Sequence, residues 1–234
     1  MRRQTRLTIA YTPDSDDAFY YDALENGLVS LPGYQFRFQR EPMACLNRAA
    51  VDGRYAVTAI SSVVYPEIAD RYAILSVGTS VGRGYGPVLV SRTPFSIANL
   101  VGRLVGVPGI PTTGWLLLRL FCPDAIPVVM PFDSIAGAVA AGQLDAGVMI
   151  HEELLYYPKI GLRKVTDLGA EWCSRNQLPL PVGLNVIRRD LGPVAMGEVC
   201  GAIYTSLQHA RENPDAALAW KAWSWDQGLT KRRC

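Results

Sequence analysis

The sequence predicts an α/β fold of two lobes, with mixed, mostly parallel sheets and a cleft between the lobes. Three observations carry that expectation. Short runs rich in β-branched and aromatic residues alternate with helical patterns. Glycine- and proline-rich stretches interrupt the alternation twice. The composition, 49% apolar and 19% charged over 234 residues, supplies a large core and excludes a disordered chain. That length allows one domain, or two small ones of roughly 100–150 residues.

In chain order, strands are expected at Leu7–Tyr11, Tyr34–Gln39, Ala56–Ile60, Tyr72–Val77, Val88–Ser91, Leu104–Val107, Pro127–Met130, Ala146–Ile150, Lys164–Leu168 and Leu184–Arg188. Helices are expected at Asp16–Leu28, Met43–Val51, Ser62–Asp70, Thr113–Phe121, Ser134–Ala141, Pro193–Asn213 and Asp215–Trp225. No internal repeat or low-complexity stretch occurs. The glycine-rich Gly78–Gly86 leads into Pro87–Ser91, and Pro179–Gly183 leads into Leu184–Arg189. Read as two crossings, they make residues 1–91 with 187–234 the first lobe and 92–186 an inserted second lobe. A ligand is then expected in the cleft, outside the carboxyl ends of the strands.

Lys plus Arg is 23 and Asp plus Glu is 21, leaving +2, which gives no electrostatic case for nucleic acid or an anionic membrane as partner. No apolar run approaches the roughly 20 residues a spanning helix needs. Met1–Arg6 is basic, but Leu7–Tyr11 passes at once into the polar Asp14–Asp17, so no secretory signal is expected. Cys45, Cys122, Cys173, Cys200 and Cys234 are far apart, odd in number and without a CxxC. Reduced thiols in a cytoplasmic protein are expected, not a disulfide framework or a zinc cluster. Nothing in the sequence sets an oligomeric state.

Three strand-to-helix turns offer polar groups. In Thr12-Pro13-Asp14-Ser15-Asp16-Asp17, Asp14 or Ser15 can cap the following helix, while Asp16 or Asp17 can accept from a ligand hydroxyl. Ser61 and Ser62 follow a strand and offer hydroxyls and first-turn N–H groups. Thr112 and Thr113 precede Gly114 and the helical Trp115–Leu118, a positive helix end suited to a carboxylate or phosphate. Alone, each such turn is more often an ordinary cap; together, at matching strand ends, they suggest a small polar ligand carrying an anionic group. Gly82-Arg83-Gly84-Tyr85-Gly86-Pro87 lacks the third glycine of G-x-G-x-x-G and runs into a strand, so neither dinucleotide nor P-loop binding is expected.

There are two histidines. His209, late in a helical pattern, reads as a plain surface residue. His151 follows the buried-strand pattern Ala146–Ile150 and precedes Glu152-Glu153, either of which can orient it. A strand's carboxyl end is where α/β proteins present reacting groups, and imidazole titrates near neutrality. No second ligand spacing suits a metal, and no nucleophile elbow occurs.

The motifs together resemble the menaquinone-biosynthesis family that includes 1,4-dihydroxy-6-naphthoate synthase, built on the type II periplasmic-binding-protein fold. The likeness runs from about Leu7 to about Trp220. It is carried by Thr12-Pro13 with Asp17-Ala18-Phe19, Leu46–Ala49 with Gly53-Arg54, Gly82–Pro87 and Val107–Gly109 before Thr112-Thr113. It continues through Ile150-His151-Glu152, Asp167–Gly169, Leu178–Pro181 and Arg188–Gly192. The resemblance implies a cofactor-independent carbon–carbon lyase converting cyclic dehypoxanthine futalosine to 1,4-dihydroxy-6-naphthoate. It implies His151 as proton acceptor, and Ala59, Ile60, Ser61, Thr113 and Gly114 along the substrate. Asp16 joins them as a candidate for hydroxyl binding. Where the family has Asn-Asp this chain has Asp16-Asp17, and Ala59 stands where the family has a lysine. Relatives continue through more helix beyond Cys234, so the first lobe is expected to lack a C-terminal helix. Two other readings share the fold: a non-catalytic binding protein for a small carboxylated solute, and a chorismate dehydratase.

Overall fold

A computed structural model describes residues 4–151 and 153–217. In chain order the elements are β1 (Thr5–Tyr11), α1 (Ser15–Glu25), β2 (Tyr34–Arg40), α2 (Met43–Val51), β3 (Val57–Ser61), α3 (Tyr65–Ile68), β4 (Tyr72–Ile74), β5 (Ser80–Gly82) and β6 (Val88–Ser91). They continue with β7 (Leu104–Val107), α4 (Thr113–Phe121), β8 (Ile126–Val129), α5 (Phe132–Ala140), β9 (Ala146–Met149) and α6 (Glu153–Tyr156). The last are β10 (Arg163–Asp167), α7 (Leu168–Asn176), β11 (Leu180–Arg188) and α8 (Gly192–Glu212).

The described residues form two compact units. The first takes those up to Ile60, Val64–Thr79 and those from Leu184 onward; the second takes Ser61–Val63 and Ser80–Gly183. The first unit's sheet runs β2-β1-β3-β11-β4. β1 is parallel to β2 and β3, whereas β11 is antiparallel to β4. Ile9, Tyr11, Tyr21, Leu46 and Val57 form its core, closed by Val199 and Ile203 of α8.

The second unit's sheet runs β10-β6-β9-β7-β8. β7 is parallel to β8 and β9, and β6 is antiparallel to β9 and β10. Side chains alternate across a strand, so this sheet buries a cluster on each face. Leu89, Val107 and Val148 pack with Leu117 and Leu118 of α4. Val88, Val90 and Met149 pack with Ile135 and Val139 of α5.

Several elements differ from the expectation. The crossings read from the sequence place β6 in the first lobe, but it hydrogen-bonds to β9 and β10 and so lies in the second unit. The sequence makes Pro179–Gly183 a crossing that leads into a strand at Leu184, yet β11 begins at Leu180, because Leu180, Pro181 and Gly183 pair with β5. Helix α7 was not anticipated. Its start is set by Asp167, whose carboxylate accepts from Gly169 N at 2.9 Å and Ala170 N at 3.0 Å. The expected helix Asp215–Trp225 and the chain end fall, past Ala217, outside the described residues. Cys122, Cys173 and Cys200 are free, but Cys45 is disulfide-bonded, contrary to the expectation of reduced thiols. Spacing along a chain does not report distance in space, which is what permits a disulfide. Among the described residues no helix is long and apolar enough to cross a membrane.

Candidate active site

Because β7, β8 and β9 are mutually parallel along the sheet, their carboxyl ends lie on one edge of the second unit. The chain leaving β7 turns through Pro108–Thr112 into α4. Thr112 caps the helix, accepting from Trp115 N at 3.3 Å while donating to Gly109 O at 2.8 Å. Thr113 and Gly114 form its first turn. A Cβ at Gly114 would stand 2.9 Å from Val148 Cγ1, so only glycine lets this turn lie so close against β9.

The Thr113 hydroxyl is not directed at a ligand. It donates to Val182 O at 2.7 Å and lies 3.1 Å from Ser62 Oγ, which itself donates to Pro181 O at 2.5 Å. Two hydroxyls therefore clasp the first residues of β11 to the start of α4. What the turn offers an anion is first-turn backbone N–H at the positive end of a nine-residue helix.

The chain leaving β9 reaches His151 two residues beyond Met149. His151 is half-buried and adopts φ 53°, the left-handed region that non-glycine residues seldom occupy. Its carbonyl accepts from Leu154 N at 3.2 Å, turning the chain into α6. The chain leaving β8 passes Pro131 into Phe132, the first residue of α5. The Phe132 and His151 rings meet at 5.5 Å with planes 64° apart. Glu152 lies outside the described residues, and so does the side chain of Glu153.

In the first unit, the turn after β1 carries a closed polar network. Asp14 caps α1, accepting from Asp17 N at 3.2 Å. Asp17 accepts from Thr12 N at 2.9 Å, from Thr12 Oγ1 at 2.7 Å and from the Tyr20 hydroxyl. Asn185 donates to Tyr20 OH at 2.9 Å and Gly78 O at 2.7 Å, and accepts from Tyr21 OH at 3.1 Å. Burial, and then the Asp17 charge, push both tyrosine hydroxyls well above their ordinary range, so both stay neutral donors.

The structure thus brings Thr113, Gly114 and His151 to one edge, with Ser61, buried at the end of β3, in the same unit. Ala59 and Ile60 belong to the first unit with buried side chains, Ala59 within the apolar core. Asp16 occupies the first turn of α1, and its side chain is outside the described part of the structure. His209 is not a plain surface residue. It is half-buried, its Nδ1 is buried without a hydrogen bond among the described residues, and it opposes the upward push that burial gives Asp22. Sequence reasoning passed over Phe132, Tyr20 and Asn185. For Phe132 a signal existed, an aromatic opening a helix directly after a strand. Among the described residues no group of three or more His, Cys, Asp or Glu is placed to hold a metal ion.

Comparison with known proteins agrees with this architecture. The family described as menaquinone biosynthesis matches residues 7–231. A 1,4-dihydroxy-6-naphthoate synthase of Thermus thermophilus is 39% identical over 212 residues, covering 91% of this chain and 77% of that protein. Its namesake from Streptomyces coelicolor is 37% identical over 218 residues, covering 90% and 76%. A crystal structure of an Archaeoglobus fulgidus protein superposes with TM-score 0.86 at 42% identity, covering 95% and 83%. The periplasmic aliphatic sulphonate-binding protein of Escherichia coli superposes with TM-score 0.65 at 15% identity, covering 94% and 74%, a likeness of fold alone.

Proposed function

Because the chain belongs to the menaquinone-biosynthesis family, and so is an enzyme of that route, we propose that it is a 1,4-dihydroxy-6-naphthoate synthase. In this reading it is a cytoplasmic carbon–carbon lyase that converts cyclic dehypoxanthine futalosine to 1,4-dihydroxy-6-naphthoate. His151 acts as general base, taking a proton from the substrate as the carbon–carbon bond breaks. The α4 turn at Thr113–Gly114 holds the substrate carboxylate through backbone N–H groups. Ser61 contributes a polar contact from the same unit.

The observation that most supports this reading is His151 at φ 53°, at the end of a strand parallel to the one that feeds the α4 turn. A non-glycine residue held in the left-handed region costs of order 1–3 kcal/mol, and such residues cluster at reacting centres. For Ala59, Ile60 and Asp16 the support is the resemblance alone.

The test is to incubate purified protein with cyclic dehypoxanthine futalosine and follow naphthoate by chromatography, with chorismate offered in parallel. Naphthoate formed by the wild type upholds the reading. Dehydration of chorismate replaces it with the sister activity. A ligand that raises the melting temperature but is recovered intact replaces it with solute binding.

A further inference from the structure

We propose that Phe132 is a positioning residue for His151, its ring fixing the plane of the imidazole at the end of β9. The inference rests on the reading of His151 as general base. It starts from the contact itself, ring centroids 5.5 Å apart and planes at 64°, the edge-to-face arrangement that aromatic pairs prefer. A histidine at a strand end has two side-chain torsions to settle, and a general base works only in a narrow range of them. A ring packed against the imidazole removes part of that freedom before substrate arrives.

Phe132 is itself held. It opens α5 directly after Pro131, and α5 is anchored by Ile135, Ala136 and Val139 in the cluster that contains Met149 of β9. A Cβ at Gly147 would lie 2.3 Å from Ile135 Cγ2, so glycine there lets α5 settle closer to β9 than any other residue would allow. Helix and strand are thus locked two to four residues before His151, and the Phe132 ring is carried to the imidazole by that lock. Phe132 takes no part in proton transfer; it acts through His151.

The experiment compares Phe132→Leu, which keeps an apolar side chain without the ring, with Phe132→Tyr, which keeps the ring. The expected result is a fall in kcat of about five- to thirtyfold for the leucine variant, KM within about twofold, and recovery in the tyrosine variant. A merely structural role would lower thermal stability without that split. Phe132→Met stands in if the leucine variant does not fold. The second readout is the three-bond NMR couplings that report the side-chain torsion of each histidine, simple to assign with two histidines in the chain. Loss of the ring averages those of His151 between rotamers and leaves those of His209 in place; His151 couplings that stay unaveraged overturn the inference.

An unchanged kcat, or a raised KM with kcat intact, overturns the inference; the latter would make Phe132 a substrate contact. A wild-type protein inert on cyclic dehypoxanthine futalosine overturns the functional reading instead. The NMR comparison then still decides whether Phe132 sets the imidazole.

Discussion

In the first unit, polar side chains at the carboxyl end of β1 bond to one another. Asp17 accepts from Thr12 and Tyr20, and Asn185 joins Tyr20, Tyr21 and Gly78. In the second unit, the hydroxyls of Ser62 and Thr113 bond to the backbone of β11, and the α4 turn and His151 are placed by backbone geometry. The difference teaches how a binding edge can be built. A network of mutually satisfied side chains is stiff and has little capacity left for a ligand. A helix start and a strand end, held by glycine contacts beneath them, can instead present N–H groups and an imidazole.

The contrast predicts that damage in the second unit strikes turnover, and damage in the first strikes stability. The largest effect is expected from His151→Ala. Its naphthoate formation should fall about 10²–10⁴-fold with the melting temperature nearly unchanged, and unchanged turnover would remove His151 from the reaction. Next is Asn185→Ala, which strands the Tyr21 hydroxyl and the Gly78 carbonyl in a buried setting. About 2–4 kcal/mol of unfolding free energy should be lost, read from the urea midpoint, with KM little altered if the protein still folds.

Gly114→Ala sharpens the comparison further. Its new Cβ meets Val148 Cγ1 at 2.9 Å and pushes the α4 turn off β9. A roughly ten- to a hundredfold lower kcat/KM is expected, with partial recovery in Gly114→Ala/Val148→Ala, where room is restored. No recovery would mean that the helix start is not held by this contact. The smallest effect near neutrality concerns Tyr72 of β4, whose hydroxyl donates to Tyr55 O at 2.8 Å. Burial above all pushes its pKa from 10.0 up to about 12. The native state keeps this proton after the unfolded chain has lost it, so stability is full below pH 10 and falls between pH 10 and about 12. Denaturant melts across that range should show a shallower alkaline fall in Tyr72→Phe.

Much of this was legible locally. β6, β7, α2 and α4 have the residues their patterns indicate, because apolar periodicity and capping side chains act within a few residues of where they are written. His151 stood out for the same reason, a polar residue directly after a buried-strand run. β11 was harder to see, since Leu180–Gly183 becomes strand only by pairing with β5, far away in sequence. The edge of the second unit was equally hidden. That Thr113 would spend its hydroxyl on Val182 O, and that Phe132 would meet His151, depends on strands separated by long stretches of chain lying side by side. By itself the sequence determined the α/β class, most of the elements and the candidate base. Tertiary structure decided which of the polar residues are occupied by the protein's own groups, because hydrogen-bond partners and ring contacts are set by distance in space, which no local pattern records.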